Sequence, residues 1–244
     1  MTTRSIPPQA RHADRSPTPD AVRAQADGSQ PPRRRAALAL AGAAVLALSA
    51  CSALPDRPTR PTLYDFGPGP IAPQASDRRA PLPTLVLGAI EPVGVADTTA
   101  LHYRFVYTNA QQLRPYALAR WSMPPSQLVR QRLREVLGQR RAVLSEDDSA
   151  ALQRTGGRAP RILRLQLEEF SQVFTAPGDS VGVLRLRATL VDNTAGGERL
   201  IAQRQLVVQR PATTADAPGG ARALAAATDA AAEEISAWLE QGAS

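Results

Sequence analysis

The sequence predicts a mixed α/β fold of the α+β class: a single domain with a mostly antiparallel sheet and two helices packed on one face. Three consecutive segments, residues 162–170, 183–191 and 200–209, alternate apolar and polar side chains and are joined by turn residues, which is typical of an antiparallel meander. Two further segments, 125–140 and 221–241, repeat apolar residues at helical spacing. Because an amphipathic helix buries its apolar stripe against a sheet, both helices are expected on the same sheet face.

Four shorter strands are predicted outside the meander. Residues 84–95 are apolar and rich in β-branched side chains, and they predict the first strand of the folded body. Residues 103–108 predict a second strand, with Tyr103, Phe105 and Tyr107 on one face, and residues 111–119 predict its hairpin partner. A short strand is expected at residues 142–145. The resulting order is strands, helix, strands, helix.

The two helices carry recognisable boundary signals. Pro124 and Pro125 precede the first helix and Gly138 stands near its end, as is common at helix starts and stops. The second helix follows a loop over residues 211–220 and carries many alanines beside Leu224 and Ile235. Small side chains on that stripe predict a close approach of this helix to the sheet.

Several charged residues of the meander have a position or a role that the sequence does not decide. Arg204 interrupts the apolar positions of its strand, which predicts a bulge or an edge position there. Glu168 and Glu169 are adjacent in a strand, so they are expected on opposite faces and not as a converging acid pair. The outward side also carries three arginines that form either a solvated face or a surface for acidic headgroups or an acidic partner: Arg164, Arg185 and Arg187.

The amino-terminal 50 residues have the pattern of a secretory signal with a long preamble. Arg33, Arg34 and Arg35 precede an apolar run over residues 36–48, which ends in small residues before Cys51. The run is shorter than the ~20 apolar residues of a membrane-spanning helix. Residues 48–51, Leu-Ser-Ala-Cys, resemble the lipobox of bacterial lipoproteins. That resemblance implies cleavage before Cys51, a diacylglycerol on its sulfur and an acyl group on its new amine.

Residues 51–83 are predicted to form a lipidated tether, and residues 84–241 the folded domain. Prolines recur through the tether and favour extended chain. Its one apolar island, residues 63–66, consists of Leu63, Tyr64, Asp65 and Phe66. Two interpretations remain open for this island: a short edge strand that docks on the domain, or a peptide that binds a partner.

The charge distribution argues against a nucleic-acid binder. The chain has 244 residues and a formal net charge of +7, and every basic residue among its 29 is arginine. Seven of these arginines and three of the 22 acidic residues precede Cys51, so the remaining chain carries 22 arginines against 19 acids. A nucleic-acid-binding domain concentrates positive charge on its folded part. The membrane is therefore expected as a partner through the lipid anchor, and nucleic acid is not.

No residue pattern predicts catalysis, a metal site or a cofactor. His102 stands without a second imidazole or a cysteine nearby, and it is interpreted as a surface or packing residue. Glu146, Asp147 and Asp148 form a short acidic run that is interpreted as a solvated loop. No nucleophile elbow, phosphate-binding loop or dinucleotide fingerprint is present. The protein is therefore expected to act by binding.

The order of several short motifs resembles one known family. After Cys51 and the Tyr64–Phe66 island come the strand at residues 86–93, the aromatic strand at 103–107, and Arg120 and Trp121 followed by two prolines. This order is similar to that of the PqiC-like, ABC-type transport auxiliary lipoproteins. The resemblance extends over roughly residues 51–239. It implies a non-enzymatic lipoprotein on the periplasmic face of the outer membrane. Ser52, the residue after the lipobox cysteine, also favours the outer membrane over the inner membrane.

The same resemblance implies a partner and a surface for it. Family members accompany an ABC permease, its ATPase and an MCE-domain periplasmic protein, in systems that move lipids or other hydrophobic molecules across the Gram-negative envelope. Arg120, Trp121, Tyr64 and Phe66 are the candidate partner-binding residues, since Arg and aromatic residues are enriched as interface anchors. For Trp121 a core position is the alternative. Homo-oligomer formation stays open, as do two other functions: docking on a cell-wall or envelope-assembly partner, and carrying lipid in a pocket.

Overall fold

The computed structural model describes residues 59–69, 82–148, 159–194 and 196–241, all within one compact unit that spans residues 58–244. The strands are β1 (Thr62–Tyr64), β2 (Leu85–Pro92), β3 (Ala100–Phe105), β4 (Arg114–Trp121), β5 (Val143–Leu144), β6 (Arg161–Ala176), β7 (Asp179–Thr194) and β8 (Gly197–Pro211). The α-helices are α1 (Val106–Asn109), α2 (Pro125–Gly138) and α3 (Ala217–Gln241), and Gly94–Asp97 forms a short 3-10 helix.

All eight strands form one mixed sheet whose organising member is the long strand β6. On one side, β6 pairs with β7, and β7 with β8, in the predicted antiparallel meander. On its other side, the first half of β6 pairs in parallel with β2 and the second half with β3. The β3–β4 hairpin is antiparallel, whereas β1 and β5 join β4 and β2 in parallel. The predicted fold class is confirmed.

One face of the sheet is covered by α2 and α3 and holds the main core. Helix α3 packs on β6, β7 and β8, while α2 packs on β2 and on α3. Leu165 and Leu186 are among the fully buried side chains beneath the helices. We call this side the helix-covered face and the opposite side the open face.

Helix α3 lies unusually close to β7, as its alanines predict. A Cβ built on Gly182 of β7 would stand 2.6 Å from the backbone carbonyl carbon of Ala223 in α3. Real Cβ atoms do not approach backbone atoms so closely, so glycine at this position is required by the packing. Ala223, Ala227 and Ala231 are all buried along the same helix.

The open face of the meander is polar and its charges are paired. Arg164 donates two hydrogen bonds of 2.6 Å to the carboxylate of Glu198, and Arg187 Nη2 lies 2.8 Å from Glu168 Oε1. The three predicted arginines do share this face, and two of them are engaged by carboxylates. Near the amino end of β6, the open face also carries a small apolar cluster of Val86, Ile162 and Val191 with Leu144.

Several predicted elements need correction. Residues 106–108 are helical and not part of the preceding strand, because the chain leaves the sheet after Phe105 to form α1. Arg204 pairs in regular register with Ala188 on the edge strand β8 and forms an ion pair with Glu234 of α3, so the edge position explains it. The register shift of β8 lies between Leu200 and Ala202 and does not include Arg204. Part of the apolar island lies in strand β1, which pairs with β4 at the edge of the sheet. Of the two interpretations of the island, the structure agrees with the docked edge strand.

Candidate partner-binding site

The four predicted binding residues lie together where β1 docks on β4. Trp121 is only 1% exposed, and its ring lies 5.7 Å from the ring of Phe66 and 5.5 Å from that of Phe170. The backbone N–H of Ser122 donates to the carbonyl of Tyr64 at 2.8 Å, and Arg132 Nη2 donates to the carbonyl of Phe66 at 2.8 Å. Trp121 therefore has the core position, and Phe66 and Tyr64 pack partly buried beside it.

Arg120 points the other way, to the open face, between two exposed leucines. Leu63 is the register partner of Arg120 across the β1–β4 pair, so the two side chains share a face. Leu118 stands two residues before Arg120 and next to buried Ala119, in the part of β4 where its register with β3 shifts. Leu63 is 67% exposed and Leu118 is 52% exposed. Exposed large apolar side chains that adjoin one another are a common mark of an interaction surface.

The guanidinium of Arg120 is held by its own strand. Nη1 donates to the carbonyl of Tyr116 and, at 2.9 Å, to the carbonyl of Ala119. A side chain fixed in this way loses little conformational freedom when a partner binds it. The geometry thus presents a pre-positioned cation between two apolar side chains.

The neighbouring strand β3 adds an ion pair and an imidazole to this surface. Arg104 donates to Glu169 through Nη2 at 2.9 Å, and His102 stands two residues before it on the same side of β3. Burial lowers the pKa of His102, the charges of Arg104 and Arg120 lower it further, and Glu169 opposes the shift. The imidazole is therefore neutral at neutral pH. We define the open-face patch as Leu63, Leu118, Arg120, His102 and Arg104.

An aromatic cluster on the helix-covered side of β3 was only partly predicted. Tyr103 and Phe105 share a face as expected, with ring centroids 5.0 Å apart. Tyr116 of β4 and Phe174 of β6 complete the cluster, at 4.5 Å and 6.0 Å from Tyr103. The hydroxyl of Tyr116 donates to Gln172 Oε1 at 2.8 Å, and burial raises its pKa. The sequence does not indicate Phe174, because the parallel β3–β6 pairing joins segments about 70 residues apart. Tyr116 comes from the adjacent strand β4, whose register with β3 shifts.

Three acidic residues, Glu168, Glu169 and Asp148, form ion pairs or hydrogen bonds with neighbouring side chains. Glu168 and Glu169 both face the open side, against the prediction, because the register slips between Leu167 and Glu169. Each is nonetheless bound by its own arginine, Arg187 and Arg104 respectively. Asp148 accepts from the hydroxyl of Ser145 at 2.7 Å, which lowers the pKa of Asp148.

The described residues contain neither a metal-binding cluster nor a membrane-spanning helix. Within residues 59–69, 82–148, 159–194 and 196–241, no group of three His, Cys, Asp or Glu side chains is placed to hold a metal ion. In that same part of the chain no helix is both long and apolar enough to cross a membrane. Cys51 and the signal segment lie outside it, so the predicted lipidation stays a prediction.

A family model decides the assignment. The model of the ABC-type transport auxiliary lipoprotein component family matches residues 64–236, which extend from β1 to the last turns of α3. The chain belongs to this family. The resemblance noted in the sequence is thereby confirmed, and this auxiliary lipoprotein is a component associated with ABC-type transport. The family description points to a non-enzymatic, lipid-anchored envelope protein. No curated protein matches the sequence.

Solved structures share the fold of this auxiliary lipoprotein. A Xanthomonas campestris protein of family DUF330 has a TM-score of 0.58 and 17% identity, covering 74% of this chain and 96% of its own. A structure of an uncharacterized protein has a TM-score of 0.51 and 12% identity, covering 74% of this chain and 99% of its own. At these identities the likeness concerns the fold alone.

Proposed function

We propose that this chain is a non-enzymatic lipoprotein of the outer membrane that works in an ABC transport system by binding its MCE-domain protein on the periplasmic face. The system would move lipids or other hydrophobic molecules across the envelope. The observation that carries the proposal is the family match over residues 64–236. The Leu-Ser-Ala-Cys sequence at residues 48–51 supports the anchor, because a multiply acylated cysteine holds a protein stably on a bilayer.

The binding surface in this proposal is the open-face patch. It combines exposed apolar area at Leu63 and Leu118 with a fixed guanidinium at Arg120, the combination that anchors many interfaces. The charge of Arg120 favours an acidic group on the partner. The core side of this region supports the patch. The contacts of Trp121 with Phe66, and the pairing of Tyr64 with Trp121, hold β1 and its Leu63 against β4.

Co-purification from envelopes tests the proposal. The tagged full-length lipoprotein is expected to recover the MCE-domain protein after mild crosslinking. Leu118→Glu should lower this recovery at least tenfold, because it places a charge in the centre of the patch. Val207→Glu is the matched control: Val207 is also 52% exposed on the open face, but it lies on the far strand β8.

Equal losses for Leu118→Glu and Val207→Glu would contradict the assignment of the patch. Recovery of envelope-assembly proteins in place of any transport component would contradict the function itself. Mass spectrometry of the mature amino terminus provides the separate test of the anchor, with an acylated Cys51 as the expected first residue and an unmodified Cys51 as the contrary result.

A further inference from the structure

The sheet ends in one long strand whose outer edge has no partner in the described part of the chain. Of the three edge strands, β1 has three residues and β5 has two, whereas β8 has 15. Strand β8 pairs with β7 on its inner side, and α3 packs against its helix-covered face. The backbone N–H and C=O groups along its outer edge are therefore available to a further strand. Natural proteins keep free edges short, because a long one is a template for pairing with another chain.

Two large apolar side chains stand exposed along this edge. Leu200 is 61% exposed and Val207 is 52% exposed. Both lie on the open face, since Leu200 opposes Val191 of the small apolar cluster and Val207 opposes Arg185. A strand added beside β8 would cover both side chains, because same-face residues of neighbouring strands stand about 5 Å apart.

The sequence of β8 is complementary to a second, antiparallel copy of itself. The register shift of β8 between Leu200 and Ala202 makes Ile201 an extra residue. When two copies meet about a twofold axis at Arg204 and this extra residue bulges, Leu200 of each copy lies opposite Val207 of the other. A twofold axis perpendicular to the sheet keeps both open faces on one side. The two exposed apolar side chains of each copy are therefore covered in a single register.

The polar side chains at the centre of β8 agree with this register. Two arginines that meet at the axis would repel, but Arg204 forms an ion pair with Glu234 of α3 in each copy. The axis therefore carries two cations and two anions, which complement one another. On the open face, Gln203 of each copy opposes Gln205 of the other, and their neutral amides both donate and accept hydrogen bonds. The centre of the pair is electrically balanced.

We propose that β8 pairs with β8 of a second copy of this chain, antiparallel and about a twofold axis at Arg204, so that the two sheets join into one. An isologous contact of this kind uses the same edge of both copies and closes as a dimer. The pairing leaves the open-face patch uncovered, because β1 and β4 lie at the opposite end of the sheet from β8. Strand β8 then contacts a second copy and no other protein of the transport system.

Thiol crosslinking of the purified full-length lipoprotein in nonionic detergent tests the register, with a short bismaleimide as the crosslinker. The double variant Leu200→Cys/Val207→Cys is expected to form a covalent dimer, and so is an equal mixture of the two single variants. Each single variant alone should stay uncrosslinked, because its two cysteines would lie roughly 20 Å apart along the paired strands, at about 3.4 Å per residue. The wild type, which retains Cys51, measures any reaction at that residue.

Analytical ultracentrifugation tests whether the pair forms without a crosslinker. The wild type is expected to sediment as a dimer. Val207→Lys should weaken dimerisation about tenfold or more, because the substitution enters the interface twice. Val93→Lys is the matched control: Val93 is 50% exposed but lies outside β8, and this variant should remain dimeric. A monomeric wild type, or crosslinking of the single variants that is as efficient as that of the double variant, would overturn the proposal.

Discussion

The two faces of the sheet in this lipoprotein are built from the same strands but differ in what they do. On the helix-covered face, alternate residues of β6 and β7 are mostly leucines that are buried beneath the helices. On the open face, the residues between them are arginines and glutamates that pair with one another at the surface. Apolar burial contributes far more to folding than exposed ion pairs do. The helix-covered face therefore carries most of the stability, and the exposed ion pairs of the open face contribute little to it.

The largest difference between the faces should appear in a pair of adjacent residues in β7. Leu186 is fully buried, so Leu186→Ala should lower the free energy of unfolding by roughly 2–5 kcal/mol through lost burial and a cavity. Arg185→Ala, one residue away on the open face, should change it by about 0.5 kcal/mol or less. Urea denaturation measures both values. Similar losses for the two variants would contradict the division between the faces.

A second prediction concerns the close approach of α3. Gly182→Ala adds a Cβ that would meet the Ala223 backbone at 2.6 Å, so the helix must shift. The expected loss is about 1–3 kcal/mol. Gly178→Ala in the β6–β7 turn is the control, because a Cβ there meets nothing within 4 Å. A neutral Gly182→Ala would show that α3 is not fixed against β7.

The amino end of α3 provides a smaller effect with a pH signature. Asp216 accepts from the Gly219 N–H at 2.8 Å as the helix cap, and it also accepts from the hydroxyl of Thr214. Asp216→Ala should cost about 1 kcal/mol, whereas Asp216→Asn, which also caps, should cost less. Thermal melts at neutral pH compare the two variants.

The hydrogen bonds from Thr214 and Gly219 hold the pKa of Asp216 below its usual value. Because the folded state favours the ionised form, the contribution of Asp216 is complete above the pKa of the unfolded residue, about 3.9, and is lost as the pH falls through the lower folded-state pKa. Melts of wild type and Asp216→Ala should therefore converge in acid. Equal separation at neutral and acidic pH would exclude an ionised cap.

The smallest effect is expected on the open face itself. Arg164 and Glu198 are both about half exposed, and their pair should contribute between 0 and about 1 kcal/mol in a double-mutant cycle. Added salt should reduce the coupling further, since salt screens exposed charges. A coupling that is large and insensitive to salt would mean that this face has a structural role that its exposure does not suggest.

The sequence predicts the helix-covered face well because periodicity is a local signal. Alternation located β6, β7 and β8, and helical spacing located α2 and α3 within a few residues. It did not predict the parallel pairing of β2 and β3 with β6, which depends on contacts between distant segments. The sequence also did not predict the bulge at Glu168 and Glu169. A slip of one residue in register reverses the face on which a side chain lies.

The candidate site shows the same limit. The sequence predicts Arg120 and Trp121 as binding residues together. Adjacent residues of a strand point to opposite faces, so Trp121 lies in the core and Arg120 on the open face. Leu63 belongs to the predicted apolar island, but its exposure, like that of Leu118, depends on how β1 docks on β4 and is not visible in the sequence.

Site-specific photocrosslinking in intact cells tests most directly that the open face binds the transport partner. A photoreactive residue replaces Leu63 or Leu118 in the patch, or Leu200 or Val207 on β8, all exposed positions of the lipoprotein. The account predicts crosslinks to a component of the ABC transport system from Leu63 and Leu118, and none from Leu200 and Val207. Crosslinks to that component from β8 alone, or from neither strand, would contradict it.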